Sequence, residues 1–426
     1  MPRGLTSFSA LRHRNYRWFW ASSIGNSIAM GMQQLTIAWL ILDLTDSLAQ
    51  FGVVLFLQGL PQFIFIFYGG ALADRLDKIK LMMGTAVATT SIIAMVATLS
   101  ATGHIQIWMV YISAVCLGTI NAFNTPTRQA IVGSLVPRED LVNAIALTAT
   151  LMNLSRIAGP SATGFIIEAV GLSPTLFINT AFYAFAVVCQ LKIGSVKVEP
   201  RTRKTSVIRD VVDGVKYTKS NAPVWAIVLL VFCAGMFTFP TNHIIPAFAR
   251  NVLTLDASGA GLLQMISGAG ALTASITLAA AGGLKNKNIL YVASALLCAV
   301  SLFGLATSHW FPLSVFFLFL VGFSTMAFVN MGVALVQLLV PREYTGRVLS
   351  LWFAGGASIS IGVLPLMAIG DLLSLRWSLA GSAVIGFVLA LWIGVIWPPI
   401  RKINLDTDAQ KQTATTQAQT KPFASS

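Results

Sequence analysis

LVPRE occupies Leu135–Glu139 and occurs again at Leu339–Glu343, an offset of 204 residues. Gly118 and Gly322 keep that offset, His104 and His309 as well as Pro160 and Pro365 lie 205 apart, and Glu168 and Asp371 lie 203 apart. Chance readily supplies one such match but not five in one register. The chain is therefore an internal repeat, with the same elements in the same order in each half.

Hydropathy says what those elements are. Of 426 residues, 56% are hydrophobic and only 10% are charged, with a mean hydropathy of +0.76. A soluble domain carries about 25% charged residues, so much of this chain's surface must face lipid. A helix needs about 20 apolar residues to cross a bilayer core of ~30 Å. Runs of that size fall at 18–42, 48–72, 81–102, 107–126, 142–169 and 175–193. They resume at 223–249, 258–282, 289–307, 311–339, 347–373 and 376–397. A spanning barrel would show alternating segments of ~10 residues instead. The expected fold is an all-α membrane protein of twelve transmembrane helices, arranged as two pseudo-symmetric bundles of six.

Charge sets the orientation. With both termini and every second loop inside, 25 of the 28 Lys and Arg residues fall on the inner side. Arg250 and Arg376 fall outside, and Arg156 falls within a span. In this assignment Arg128 and Arg138 share an inner loop. Such a split follows the positive-inside rule, and an odd number of spans would scramble it. The basic residues sit in short stretches between apolar runs, which excludes a nucleic-acid-binding surface despite a pI near 9.9.

The divisions follow: a cytoplasmic segment at 1–17, a first bundle at 18–193, a cytoplasmic linker at 194–222, a second bundle at 223–398, and a disordered cytoplasmic tail at 399–426. The linker carries Arg201, Arg203 and Lys204, then Ile208, Val211, Val212 and Val215 on one helical face. This predicts a short helix on the inner membrane surface. The run at 18–42 is too long for the apolar part of a signal peptide. Cys116, Cys189, Cys233 and Cys298 all lie in apolar runs with no metal-ligand spacing, so they read as small packing residues. No metal site, no cofactor and no enzymatic activity are expected.

Two motifs give this frame a function. The loop after the second run reads GALADRLDKIKL, Gly70–Leu81. Gly70 permits close helix approach, and Asp74 is placed to accept hydrogen bonds from a neighbouring helix end. The string resembles the signature between the second and third helices of the major facilitator superfamily. That resemblance implies a cytoplasmic conformational latch at Gly70, Asp74, Arg75, Lys78 and Lys80. Asp77 replaces the signature's later glycine, and the corresponding GGLKNKN stretch from Gly282 lacks the Asp–Arg pair. The fifth run contains RIAGPSATG, Arg156–Gly164, similar to the Gly-Pro motif of the superfamily's exporters, although position 155 is Ser. Gly159 and Gly164 allow tight packing, and Pro160 frees a carbonyl and bends the helix.

A narrower likeness covers about residues 8–398. LRHRNYRWFW from Leu11, WLILDLTDS from Trp39, NTPTRQAIVGSLVPREDLVNAIAL from Asn124 and VQLLVPREYTGRVLSL from Val336 resemble the enterobactin-exporter-like, or transmembrane secretion effector, branch. This implies secondary-active efflux of amphiphiles such as siderophores, macrolides or other drug-like solutes. In the superfamily's design two like-oriented halves rock around a site near mid-membrane.

Charged residues inside a membrane are functional candidates by default. Arg156 is the deeply placed one, and it reads either as a cavity residue or as a structural partner to a neighbouring helix. Gln33, Gln34, Asn121, Asn124, Gln264 and Asn330 are the polar candidates for a substrate cavity. Proton coupling needs a group that changes protonation between states. Glu168, Asp371, Asp43 and His243 are the candidates, and Glu168 and Asp371 also read as helix-end or loop contacts. The expected partners are a small-molecule substrate, the lipid bilayer and protons, and the chain is read as a monomer. An ATP-driven pump is disfavoured because no phosphate-binding loop occurs. Uptake by the same fold, an intramembrane enzyme lacking the necessary residue cluster, and a non-transporting sensor or scaffold are the other readings.

Overall fold

In lipid every backbone N–H and C=O must be satisfied within the protein, so apolar runs of this length become helices. The computed structural model describes residues 9–75, 77–137, 139–194, 207–281, 286–397 and 399–400, and among these there is no strand. The side chains of residues 66–75, 130, 153, 156, 207–210, 242 and 342 also lie outside the described part.

The first half forms α1 (Arg14–Thr45), α2 (Leu48–Arg75), α3 (Lys78–Ala101), α4 (Ile107–Leu135), α5 (Leu141–Val170) and α6 (Leu172–Leu191). The second comprises α7 (Val207–Ser220), α8 (Ala222–Phe237), α9 (Thr241–Asn251), α10 (Ala257–Ala280), α11 (Lys287–Thr307), α12 (Phe311–Leu339), α13 (Arg342–Ala357), α14 (Ile359–Leu372) and α15 (Leu375–Leu391). A π-helical turn, Trp392–Ile396, ends it.

Among the described residues, eleven stretches are long and apolar enough to cross a membrane, and a bent pair containing α8 brings the total to 12. The seventh run divides. α8 stops at Phe237, and α9 starts at Thr241 beyond Pro240, which has no N–H to carry a helix on. The eleventh run is interrupted at Ser358, between α13 and α14. The two interruptions pack together. Ser358 Oγ lies 3.1 Å from the Phe232 carbonyl oxygen. A Cβ on Gly235 would come within 2.4 Å of the Gly355 carbonyl oxygen, and one on Gly362 within 1.9 Å of the Met236 carbonyl oxygen.

The compact units do not follow the repeat boundary. One comprises Met1–Lys204, Asn242–Gly268 and Val363–Ser378; the other comprises Thr205–Thr241, Ala269–Gly362 and Leu379–Ser426. Nearly all of α9 and α14, with the first half of α10, therefore belong to the same unit as α1–α6. The physical reason is glycine-mediated packing. A Cβ on Gly164 of α5 would meet the Ala257 carbonyl oxygen of α10 at 2.3 Å, and one on Gly261 would meet the Pro160 carbonyl oxygen at 2.9 Å.

One expectation changes. α4 runs on to Leu135 rather than ending near 126, so Arg128 is a helical residue and not a loop residue. α7 is helical as expected, and it meets α8 at 114°. One side of α7 packs on α13 through a Tyr217–Tyr344 stack at 4.6 Å and an Asp213–Arg347 pair at 3.7 Å. The tail beyond residue 400 and the basic cluster Arg201, Arg203 and Lys204 lie outside the described residues.

The residues before α1 are fastened to the start of α5. Asp140 pairs with His13 at 2.7 Å, and the Ala10 amide donates to Asn143 Oδ1 at 3.2 Å. Hydrogen bonds from Ser9 and His13 hold the Asp140 carboxyl below its ordinary range. The anchoring is therefore complete above the unfolded aspartate value and is lost as pH falls through the lower folded value. Asp140→Asn is expected to speed hydrogen exchange at the Ala10 amide at neutral pH, with α2–α4 unaffected. Unchanged exchange would show that the pair does not hold this segment.

Candidate functional site

At the end of the first unit away from most of its basic residues, helix ends meet a small set of charges. α1 closes with Asp46 in a left-handed conformation, φ 47°, its N–H on the Leu42 carbonyl at 3.0 Å. This turns the chain tightly into α2, whose first amides need acceptors. Asp371, at the far end of α14, supplies them. Its carboxylate accepts from Ser47 Oγ at 2.6 Å, the Leu48 amide at 2.8 Å and the Ala49 amide at 2.9 Å. Ser47 Oγ itself accepts from the Gln50 amide at 3.3 Å. A negative charge here also complements the helix dipole.

Arg250, in the last turn of α9, makes the second fastening. Its Nη1 donates to Asp43 Oδ1 at 2.6 Å, and Nη2 lies 3.6 Å from Asp46. The guanidinium stands 5.8 Å from the centre of the Trp39 ring. Arg376 donates to the Val252 carbonyl at 3.4 Å. Met367 of α14 fits against Gly52 of α2, where a Cβ would come within 2.7 Å. Gly159 of α5 rests on Gly31 of α1 in the same manner, at 3.0 Å. The Gly-Pro motif thus gives α5 two backbone-close contacts, to α1 at Gly159 and to α10 at Gly164.

The other sequence candidates are dispersed. Gln33 is buried and accepts from the Tyr183 hydroxyl at 2.5 Å. Asn124 is buried and donates to Thr85 Oγ1 at 2.9 Å. Asn330 donates to Ser275 Oγ at 3.4 Å. Gln264 is buried on α10, and its Nε2 has no hydrogen-bond partner among the described residues. Asn121 and His243 are half-buried; Gln34 and Glu168 are exposed. The structure thus brings Asp43 and Asp371 together at one helix corner and leaves Glu168 outside that network. The side chains of Gly70, Asp74, Arg75 and Arg156 lie outside the described residues. Asp77, which departs from the signature, has a local reason: its carboxylate caps α3, accepting from the amides of Ile79 at 2.9 Å and Lys80 at 3.3 Å. Lys78 is half-buried and Lys80 exposed in that first turn. Among the described residues no group of three or more His, Cys, Asp or Glu is placed to hold a metal ion.

The family model for transmembrane secretion effectors of the major facilitator superfamily matches residues 5–421. The chain belongs to that family. Among the secretion effector's relatives is macrolide efflux protein A of Streptococcus pyogenes, 24% identical over 90% of this chain and 95% of the relative. The staphyloferrin A transporter of Staphylococcus aureus is 23% identical over 68% and 72%. The enterobactin exporter EntS of Escherichia coli O1:K1 is 23% identical over 92% and 93%. Among solved structures, a peptide transporter of the POT family superposes with a TM-score of 0.74 at 11% identity, covering 91% of this chain and 95% of that one. The nucleoside transporter NupG gives 0.72 at 13%, over 91% and 99%. The secretion effector fold is therefore the major facilitator fold, and its family and relatives are transporters rather than enzymes.

Sequence reasoning missed three members of the site. Arg250 was visible as a lone cation in a charge-poor region, but no pattern named Asp43 and Asp46 as its partners. Ser47 stood before an apolar run as an ordinary helix cap.

Proposed function

We propose that this secretion effector is a secondary-active exporter of an amphiphilic small molecule, working by alternating access and driven by protons. Both termini are cytoplasmic in this reading, which places the corner of Asp43, Arg250 and Asp371 on the outer face of the plasma membrane. The observation that carries it is the fastening of α9 and α14 to α1 and α2, in a chain whose seventh and eleventh runs are interrupted just before those segments. A closable outer gate needs both a releasable bond and a break that lets the tied segment move. The relatives named for macrolide efflux and enterobactin export support the outward direction.

Asp371 links the gate to the proton. As a carboxylate it accepts three hydrogen bonds at the start of α2; as a carboxylic acid it loses the charge that strengthens them. Proton arrival from outside therefore releases α14. Glu168 and His243 stay further proton-coupling candidates, and Asp43 shares the gate through Arg250. Arg156, Gln34, Asn121, Gln264 and Asn330 are proposed to line the solute's path. Gly70, Asp74, Arg75, Lys78 and Lys80 are proposed to latch the cytoplasmic side. The bundles at 18–193 and 223–398 are the proposed repeating bodies, and the protein is proposed to act as a monomer.

Asp371→Asn, which keeps the shape and removes the charge, is expected to flatten the pH dependence of efflux while leaving solute binding within about twofold. Retention of the wild-type pH profile would remove Asp371 from proton coupling. The break at Ser358 has its own test. Gly356 has open space around it, so Gly356→Ala adds helix propensity, about 1 kcal/mol, without a clash. It is expected to raise Tm and slow turnover together; faster turnover would contradict a hinge there. Direction is read in intact cells loaded with a fluorescent amphiphile, where expression should hasten extrusion and faster accumulation would reverse the assignment.

A further inference from the structure

One cation in the first unit lies outside the gate and has no ion-pair partner among the described residues. Arg128 lies inside α4, within its membrane-crossing stretch. Its Nη2 donates to Ser23 Oγ at 2.7 Å, and its guanidinium carbon stands 5.4 Å from the centre of the Phe19 ring. Ser23 gives its own proton to the Phe19 carbonyl at 2.8 Å, so the hydroxyl offers Arg128 a dipole and not a counter-charge. Nη1 is sealed from solvent and has no hydrogen-bond partner among the described residues. Among the described residues no carboxylate pairs with this guanidinium. Phe19 belongs to an apolar cluster that includes Tyr16, Met82, Ile131 and Leu135, each at most 6% exposed.

A half-buried cation with a sealed, unbonded donor is costly, and the usual remedy is a paired anion. Here the unsatisfied donor is Nη1, next to the Nη2 that bonds Ser23. That edge matches a carboxylate, which accepts two parallel N–H bonds from a guanidinium. The buried Phe19 ring holds the guanidinium from one side. Phe19 and Ser23 lie early in α1, at the end where the basic residues collect, which is the cytoplasmic end in the orientation proposed above. An exporter meets its cargo there.

We propose that Arg128, with Ser23 and Phe19, is an anion subsite that takes the carboxylate of an amphiphilic organic acid entering from the cytoplasm. The proposal rests on the export reading for its cargo and deepens that reading by naming a charge class. A phosphate headgroup of a membrane lipid offers related oxygen chemistry, so the source has to be separated by experiment.

The probes are 2-naphthoate and 2-naphthamide, which share a ring body and differ in charge. Full-length protein in phosphatidylcholine nanodiscs should gain thermal stability with naphthoate and not with naphthamide. Arg128→Gln should bind naphthoate at least tenfold more weakly, and Arg128→Lys should fall between. Without ligand, Arg128→Gln should melt no lower than wild type, because it removes a charge with no carboxylate partner among the described residues; this separates lost binding from lost folding. Equal naphthoate shifts in wild type and Arg128→Gln, or none in wild type, overturn the subsite. A shift that depends on Arg128 but comes only from phosphatidylglycerol in the nanodisc assigns the site to lipid and overturns the solute claim. Efflux is measured in parallel. Solute flux with an Arg128→Gln variant indifferent to solute charge sinks the subsite and leaves export standing. Charge-selective binding without flux of any solute sinks export and leaves the subsite.

Discussion

Gly118→Val is expected to leave almost no folded protein in the membrane. A Cβ at this position would lie 1.9 Å from the Gln58 carbonyl oxygen, with the Gln58 carbonyl carbon at 2.8 Å. The obstacle is backbone, so no rotamer change relieves it. α4 and α2 would have to separate, opening a void along their shared face. Clashes and cavities of this kind cost about 3–5 kcal/mol, against a total stability of roughly 5–15 kcal/mol. Gly84→Val is the control, because nothing lies within 4 Å of its added Cβ. Fluorescence-detected size exclusion of both variants checks the expectation. A monodisperse Gly118→Val protein with wild-type melting would show that α2 and α4 do not pack this closely. The second half repeats the device with the glycine on the other partner: a Cβ on Gly270 of α10 would come within 2.1 Å of the Phe319 carbonyl oxygen of α12.

Arg250→Glu is expected to cut efflux about tenfold without unfolding the chain. The Arg250 and Asp43 side chains are 29% and 47% exposed, so their pair contributes only about 0.2–1 kcal/mol. Reversal does more than delete that term, because it sets a third carboxylate beside Asp43 and Asp46. A total near 1.4 kcal/mol shifts a two-state equilibrium tenfold. In the proposed cycle that shift favours the state with the outer gate open. Met367→Cys provides a second readout, since Met367 is fully buried against Gly52. In the Arg250→Glu background it should react faster with an impermeant maleimide added outside. Adding Asp43→Arg should restore part of both efflux and protection. Failure of that exchange to rescue, with labelling unchanged, would show that the pair is ornamental to the cycle.

Much of the fold was legible because lipid leaves the backbone few choices. Apolar runs had to become helices, and the LVPRE repeat at Leu135 and Leu339 divided them into like halves. The interruptions at Thr238–Pro240 and Ser358 were less visible. Pro240 signals a break by itself, but Ser358 is set by its bonds to Phe232 and Gly355, which only packing reveals. Helical phase fails where every face of a helix is apolar, so Gln33 reads from sequence like Gln264. The structure separates them, giving Gln33 the Tyr183 hydroxyl and leaving Gln264 Nε2 without a partner among the described residues. Asp371 was found through its register with Glu168, yet the two differ. Asp371 caps α2, whereas Glu168 is exposed, and no short-range pattern distinguishes a carboxylate that caps another helix from one that faces water. Arg128 escaped because a charge within a few residues of an expected span end reads as loop. Asp77 shows the reverse: a departure from a family signature that the cap of α3 explains.

Transport by inverted membrane vesicles tests the central claim most directly. The vesicles are offered a macrolide, enterobactin, staphyloferrin A and 2-naphthoate, with and without an imposed pH gradient, acidic inside. A proton-driven exporter accumulates at least one of these solutes only while the gradient lasts, and Asp371→Asn weakens that dependence. Gradient-independent levels equal to those of vesicles lacking the protein, for every solute offered, would contradict the account.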